Sequence, residues 1–213
     1  MKLYMGAESG NSWKVRLLLE QLGVPYEKVE VDLLKWEHKT QAFMQTMNPR
    51  GQVPVLEDEG KRFWDSGACL VYIARKFQRN DWLPLAAGDM AEVMQWVCLA
   101  ATEIQFGLQY ARRGVMRDRW LVGNLEQLQA IGKLGLGALE WRLRDHDWLA
   151  LDHITIADIA CFPYVFYAPQ ARIALEPYPG IRAWLARCRS RPNWASAPNA
   201  PRRDYPDMPA RQP

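Results

Sequence analysis

The chain has few of the residues from which metal centres and covalent cross-links are built. Among 213 residues there are four cysteines and three histidines. Cys69, Cys98, Cys161 and Cys188 stand far apart and form no CxxC pair, which argues against a disulfide frame or a zinc site. All four fall among apolar neighbours on helical patterns and are expected to be reduced, buried thiols of a cytoplasmic protein. His38, His146 and His153 lack metal-ligand spacing, so no metal is expected. Long apolar runs are missing as well. Nothing approaches the roughly 18 uninterrupted apolar residues of a membrane span, and the opening MKLYMGAESG is too short and polar for a secretory signal. Charge of one sign is scarce, with a formal net charge of +3. Its arginines (Arg112-Arg113, Arg117/Arg119, Arg187/Arg189/Arg191) are scattered over helical patterns, where a nucleic-acid binder would show a concentrated basic face.

Apolar residues make up 49% of the chain, enough for real hydrophobic cores at this length. The pattern changes near residue 80. Before it, KLYM reads as a strand, and SWKVRLLLEQLG as a helix with Val15, Leu18, Leu19 and Leu22 on one face and Gly23 as its stop. YEKVEVDL (26–33) alternates as a strand does, and 39–47 reads as a short helix. VPVLEDEGKRFW forms two strands about a Glu-Asp-Glu-Gly turn. DSGACLVYIARKF is a helix with Ala68, Val71, Tyr72 and Phe77 along a face. The order βαβαββα predicts an α/β unit with a mixed sheet. QRNDWLPLAAGD reads as a linker, and only helices are expected after it. MAEVMQWVCLAATEIQ carries Met90, Val93, Met94, Val97 and Ala101 at helical spacing. A long helix is expected over 118–145, with Leu121, Leu125, Leu128, Leu136, Leu139 and Leu143 as its stripe. Its interior GKLGLG marks either the close approach of a neighbouring helix or a kink. Further helices are expected near 155–168 and 178–190, then a proline-rich tail of irregular backbone or disorder. The expected domains are 1–78, a linker at 79–88, a helical unit at 89–191 and the tail at 192–213.

Four short stretches carry chemistry. In AESGNSWKV, Ser9, Gly10, Asn11 and Ser12 precede a helix, either as an ordinary cap or as a cradle for an anion. In NPRGQVPVL, Pro54 sits at a strand opening, where it cannot donate to the sheet. Asp65-Ser66 directly precedes a helix and can cap it or grip a carboxylate. His38 and Lys39 lie at a loop-to-helix junction and can pair with a second carboxylate. A fifth, HITIADIACF, is structural: Thr155 and Asp158 have capping-box spacing, with Ile154 and Ile159 as its staple.

Taken together, NPRGQVPVL, DSGACLVYIARKF and TIAD, in this order and spacing, resemble a cytosolic glutathione S-transferase from Lys2 to about Arg191. The resemblance implies a thioredoxin-like N-terminal domain, an all-α C-terminal domain, a homodimer, and glutathione as co-substrate with no metal, nucleic acid or membrane involved. It implies a cis Val53–Pro54 bond, with Val53 bonding the cysteinyl backbone of glutathione through its main chain and Gln52 as a polar neighbour. Asp65 and Ser66 would hold the γ-glutamyl end, and His38 and Lys39 the glycine carboxylate. The first loop has no cysteine, and Tyr4 falls too early in the strand, so the pattern looks serine-type. Counted back from KVRLLL, Ser9 matches the catalytic serine, with Ser12 and Asn11 as rivals. A small hydrophobic electrophile would bind between the domains, near Trp13, Phe106, Tyr110, Arg113 and Met116, although Arg112, Arg113 and Arg117 would favour an anionic one. Conjugation is the expected reaction. Glutathione-dependent peroxide or disulfide reduction, and a non-catalytic glutathione-fold binding protein, are the alternatives.

Overall fold

The computed structural model describes residues 1–117 and 122–198. Its first part has the expected order: β1 (Lys2–Met5), α1 (Gly10–Gln21), β2 (Glu27–Glu30), α2 (Gln41–Thr46), β3 (Val55–Asp58), β4 (Lys61–Phe63) and α3 (Ser66–Lys76). The sheet runs β2-β1-β3-β4, with β1 parallel to β2 and the other pairs antiparallel. Leu3 of β1 lies opposite Leu56 of β3, and both are buried in the core. β2 ends three residues short of the alternating stretch. The reason is local: the Asp32 carboxylate accepts from the backbone N–H groups of Leu34 and Lys35 at 2.9 and 3.0 Å, bending the chain away from the ladder. α2 likewise starts late, because the Thr40 hydroxyl caps it by accepting from Phe43 N. His38 and Lys39 therefore lie in a separate 3₁₀ turn, Glu37–Lys39.

The face of α3 is corrected. Cys69, Leu70, Ile73 and Ala74 are buried, whereas Ala68 and Phe77 are exposed and Val71 and Tyr72 half-buried. This helix is apolar on two sides, so periodicity alone cannot say which one meets the sheet. Cys98, expected to be buried, is instead exposed, while the other three cysteines are buried as expected.

The second part is helical throughout the described residues: α4 (Ala87–Ala101), a π-helical segment (Ile104–Gln109), α5 (Tyr110–Arg117), α6 (Leu125–Leu143), α7 (Ile156–Phe166) and α8 (Pro179–Arg189). α6 is shorter than the expected 118–145. Its start is set by Asn124 and Gln127, which exchange side-chain and backbone hydrogen bonds in a capping box at 3.0 and 3.1 Å. Leu128, Leu136, Leu139 and Leu143 of the expected stripe are buried, Leu125 is partly so, and Leu121 lies outside the described residues. The tail is irregular over residues 192–198, and its remainder lies outside them too. At α7, the Thr155/Asp158 capping box forms as expected. The buried Asp158 carboxylate also accepts from Leu149 N and Trp184 Nε1, so the cap ties α7 to α8.

The glycines of α6 mark a close helix crossing. A Cβ on Gly107 would lie 2.2 Å from Gly132 N, and one on Gly132 would lie 2.6 Å from the Leu108 side chain. Gly137 faces open space and has no such role. Gly107→Ala forces two backbones apart and is expected to cost at least ~2 kcal/mol. Gly137→Ala, the matched control, is expected to gain about 0.5–1 kcal/mol from helix propensity. Urea denaturation of both variants checks this, and equal effects would contradict the crossing.

Candidate functional site

α1 begins where the two parts of the chain meet. Ser9 caps it, its Oγ accepting from Ser12 N at 3.1 Å. Acceptance uses an oxygen lone pair and leaves the hydroxyl proton available to donate. Ser9 and Asn11 line a cleft whose opposite wall is formed by Gln105, Gln109 and the arginines of α5. Ser12 does not line it. That side chain is fully buried and turned into the preceding loop, where its Oγ accepts from Gly6 N at 3.4 Å. Trp13 is also turned away: its Nε1 donates to the Ala195 carbonyl at 2.9 Å, and its ring packs edge-on against Phe162 and Phe166. Neither suits the role suggested by its place in the sequence, because each points to the inner side of the helix.

Asn11 joins three elements. Its Nδ2 donates to Gln105 Oε1 at 3.3 Å, and its Oδ1 accepts from Ser66 Oγ at 3.4 Å. Asp65 caps α3 by accepting from Gly67 N at 3.0 Å, and pairs with Arg50 at 3.3 Å across an exposed gap. Its φ of +30° lies where an L side chain is strained. Asp65, Ser66 and Gln52 line a second depression that adjoins the first and shares Asn11, Gln52, Gln105 and Tyr110 with it. The Val53–Pro54 peptide is cis, and Val53 lines the first depression beside Gln52. Asn48, nearly fully buried, holds this turn: its Nδ2 donates to the Gln52 carbonyl and its Oδ1 accepts from Arg50 N.

His38 and Lys39 are separated. His38 is buried, stacked on Trp36, and lines the cleft. Burial, and then the charges of Lys39, Arg117 and Arg113, push its pKa down to about 4, so the ring is neutral at pH 7. Lys39 instead donates from Nζ to the Arg50 carbonyl at 3.1 Å. Phe106, Tyr110, Arg113 and Met116 all reach the site, Phe106 in the second depression and the other three in the first.

Lys14 and Tyr164 also line the site and were missed at the sequence level. Lys14 is buried under the second depression, its Nζ 5.3 Å from the Tyr164 ring centroid, and burial pulls its pKa down to about 8. Tyr164 closes the first depression from α7. Burial pushes its hydroxyl up to about 12, against the smaller opposing effects of Arg112 and the Asn11 backbone N–H. Arg112 is locked in place, with Nε donating to Gln170 Oε1 at 2.6 Å and the guanidinium 4.1 Å above the Tyr167 ring. In sequence, Lys14 and Tyr164 sit inside apolar helical patterns and nothing local singles them out, whereas Arg112 belongs to the arginine group expected to favour an anion. No group of side chains suited to a metal ion occurs among the described residues, and no helix among them is long and apolar enough to cross a membrane.

The family models for the glutathione S-transferase N-terminal and C-terminal domains match residues 1–75 and 115–192. The chain belongs to the glutathione S-transferase family. It is 30% identical over 208 residues to a probable glutathione S-transferase, GSTF1, of rice (Oryza sativa subsp. japonica), covering 91% of this chain and 93% of that one. A glutathione S-transferase structure from Pseudomonas fluorescens superposes with a TM-score of 0.83 at 32% identity, covering 92% and 98% of the two chains. A glutathione transferase of Burkholderia graminis, solved with two glutathione molecules bound per subunit, superposes with a TM-score of 0.74 at 29% identity, covering 90% and 84%. The mixed four-stranded sheet followed by helices is thus the transferase fold, and it is a glutathione-binding fold.

The contrast between the histidines can be measured. His38, depressed by burial, is expected to keep its neutral-form NMR shifts as pH falls, with a midpoint of about 4. His153, raised by its bond to Asp152, is expected to become protonated above the ordinary value of about 6.5. A His38 midpoint near 6.5 would contradict the burial.

Proposed function

We propose that this transferase binds glutathione along the cleft and activates its thiol as a thiolate for attack on an electrophilic carbon. The γ-glutamyl end would lie at Asp65 and Ser66 and the cysteinyl backbone along the Val53 main chain. His38 would face the glycyl end. The observation that carries the reading is Ser9, which lines the cleft at the N-terminus of α1 with its hydroxyl proton free of the cap. A free thiol has a pKa near 8.5. Making it mostly thiolate at pH 7 means lowering that by about 2 units, or ~2.7 kcal/mol. A helix N-terminus supplies about 0.3–1 kcal/mol to an exposed anion, too little alone. A hydroxyl bonded to the charged sulfur adds about 1.5–3 kcal/mol, and the two together suffice. Asn11 Nδ2 is the alternative donor on the same wall. In conjugation the thiolate forms the new C–S bond, and the leaving group departs with the bonding pair.

Ser9→Ala is expected to lower kcat roughly 10–100-fold with the KM for glutathione within about two-fold, since the hydroxyl acts on the anion rather than on the bound tripeptide. Ultraviolet thiolate absorbance against pH should show a raised thiol pKa in the variant. Identical titrations in variant and wild type would transfer the role to Asn11.

A second reading, glutathione-dependent disulfide or peroxide reduction, is favoured by the two glutathione molecules held by the Burkholderia graminis relative. No cysteine lines the described cleft, so such chemistry would run through the sulfur of bound glutathione. Chlorodinitrobenzene, cumene hydroperoxide and hydroxyethyl disulfide, each with glutathione, separate the two. The apolar outer face of α3, with Val71 and Tyr72 half-buried and Phe77 exposed, supports the homodimer typical of the family.

A further inference from the structure

We propose that the electrophile served by this cleft carries a carboxylate, held by the arginines of α5; the inference rests on the glutathione reading and names its substrate class. The wall facing Ser9 is not greasy. Arg112, Arg113 and Arg117 all line it, and Glu8 is the one carboxylate residue lining the same depression among the described residues. Apart from Val53, its aliphatic contributors are Leu33 and Met116, a poor surface for a purely hydrophobic electrophile. The wall is also built in advance. Arg112 is only 7% exposed and is fixed by Gln170, the Glu8 carbonyl and the Tyr167 ring. Yet its Nη2 is buried without a hydrogen-bond partner among the described residues, as is His38 Nδ1 across the cleft. An unsatisfied buried donor such as Arg112 Nη2 is costly and uncommon in folded proteins, and a guanidinium fork is shaped for a carboxylate. Burial and then the neighbouring Arg113 bring Arg117 down to about 10, with the Glu8 carboxylate opposing them, so cationic charge is crowded along this wall.

The test compares 4-chloro-3,5-dinitrobenzoate with its methyl ester, each rate divided by the uncatalysed rate with glutathione. The thiolate forms a C–S bond at C4 and chloride leaves with its bonding pair; the thiol proton goes to solvent. The acid is expected to show a kcat/KM enhancement about ten-fold or more above the ester. Arg113→Gln and Arg117→Gln should bring that ratio towards one with the KM for glutathione within about two-fold, and Arg113→Lys should retain part of the preference. An ester handled as well as the acid overturns the proposal. So does a rise in the glutathione KM with the acid-to-ester ratio unchanged, which would assign the arginines to the glycyl carboxylate of glutathione. Calorimetric binding of glutathione without turnover of the acid overturns it alone, whereas no binding of glutathione brings down both readings.

Discussion

The packing of α1 against α7 is the constraint on which the cleft depends. Trp13 is buried among Phe162, Phe166 and Tyr167, and Gly10 lies so close to Tyr164 that a Cβ would come within 2.7 Å of its ring. A buried indole removes about 150–250 Å² from water, on the order of 4–6 kcal/mol at ~25 cal/mol/Å². The Ser9 cap contributes only about 1 kcal/mol. Packing therefore decides where the α1 N-terminus sits, and the cap decides which way its polar groups face. Because α7 belongs to the helical half, a feature of the first sheet unit is positioned by the second.

The far wall is positioned by another close approach. Gly107 meets Gly132 backbone to backbone, and the chain around Gly107 runs as a π-helical segment between α4 and α5. Such segments are rare and concentrate at functional sites. Here it carries Gln105 and Gln109 into the cleft and leads directly into α5, where the arginines stand. Asn11, bonded to both Gln105 and Ser66, joins that wall to the first helix and the third.

Much of this was legible from short-range patterns. The strand and helix order followed from periodicity and turn residues, and the Thr155/Asp158 box from its spacing. The cis Val53–Pro54 step followed only from the family resemblance. What escaped was whatever depends on rotation about a helix axis or on distant partners. The α1 pattern could not tell Ser9 and Asn11, which face the cleft, from Ser12 and Trp13, which face inward. α3 is apolar on both sides, and only its packing against α1, α7 and the sheet selects Cys69, Leu70, Ile73 and Ala74. The α6 start was hidden because Asn124 and Gln127 form a box without serine, threonine or an acid. Lys14 and Tyr164 become site residues only when α1 and α7 are brought together.

The central claim is that a glutathione sulfur rests at the N-terminus of α1. A crystal structure of the glutathione complex tests it most directly. The account predicts the sulfur within hydrogen-bonding distance of the Ser9 hydroxyl or the Asn11 amide, with the γ-glutamyl carboxylate at Ser66. A tripeptide lying the other way, with its γ-glutamyl end against the arginines of α5 and its sulfur away from α1, would contradict it.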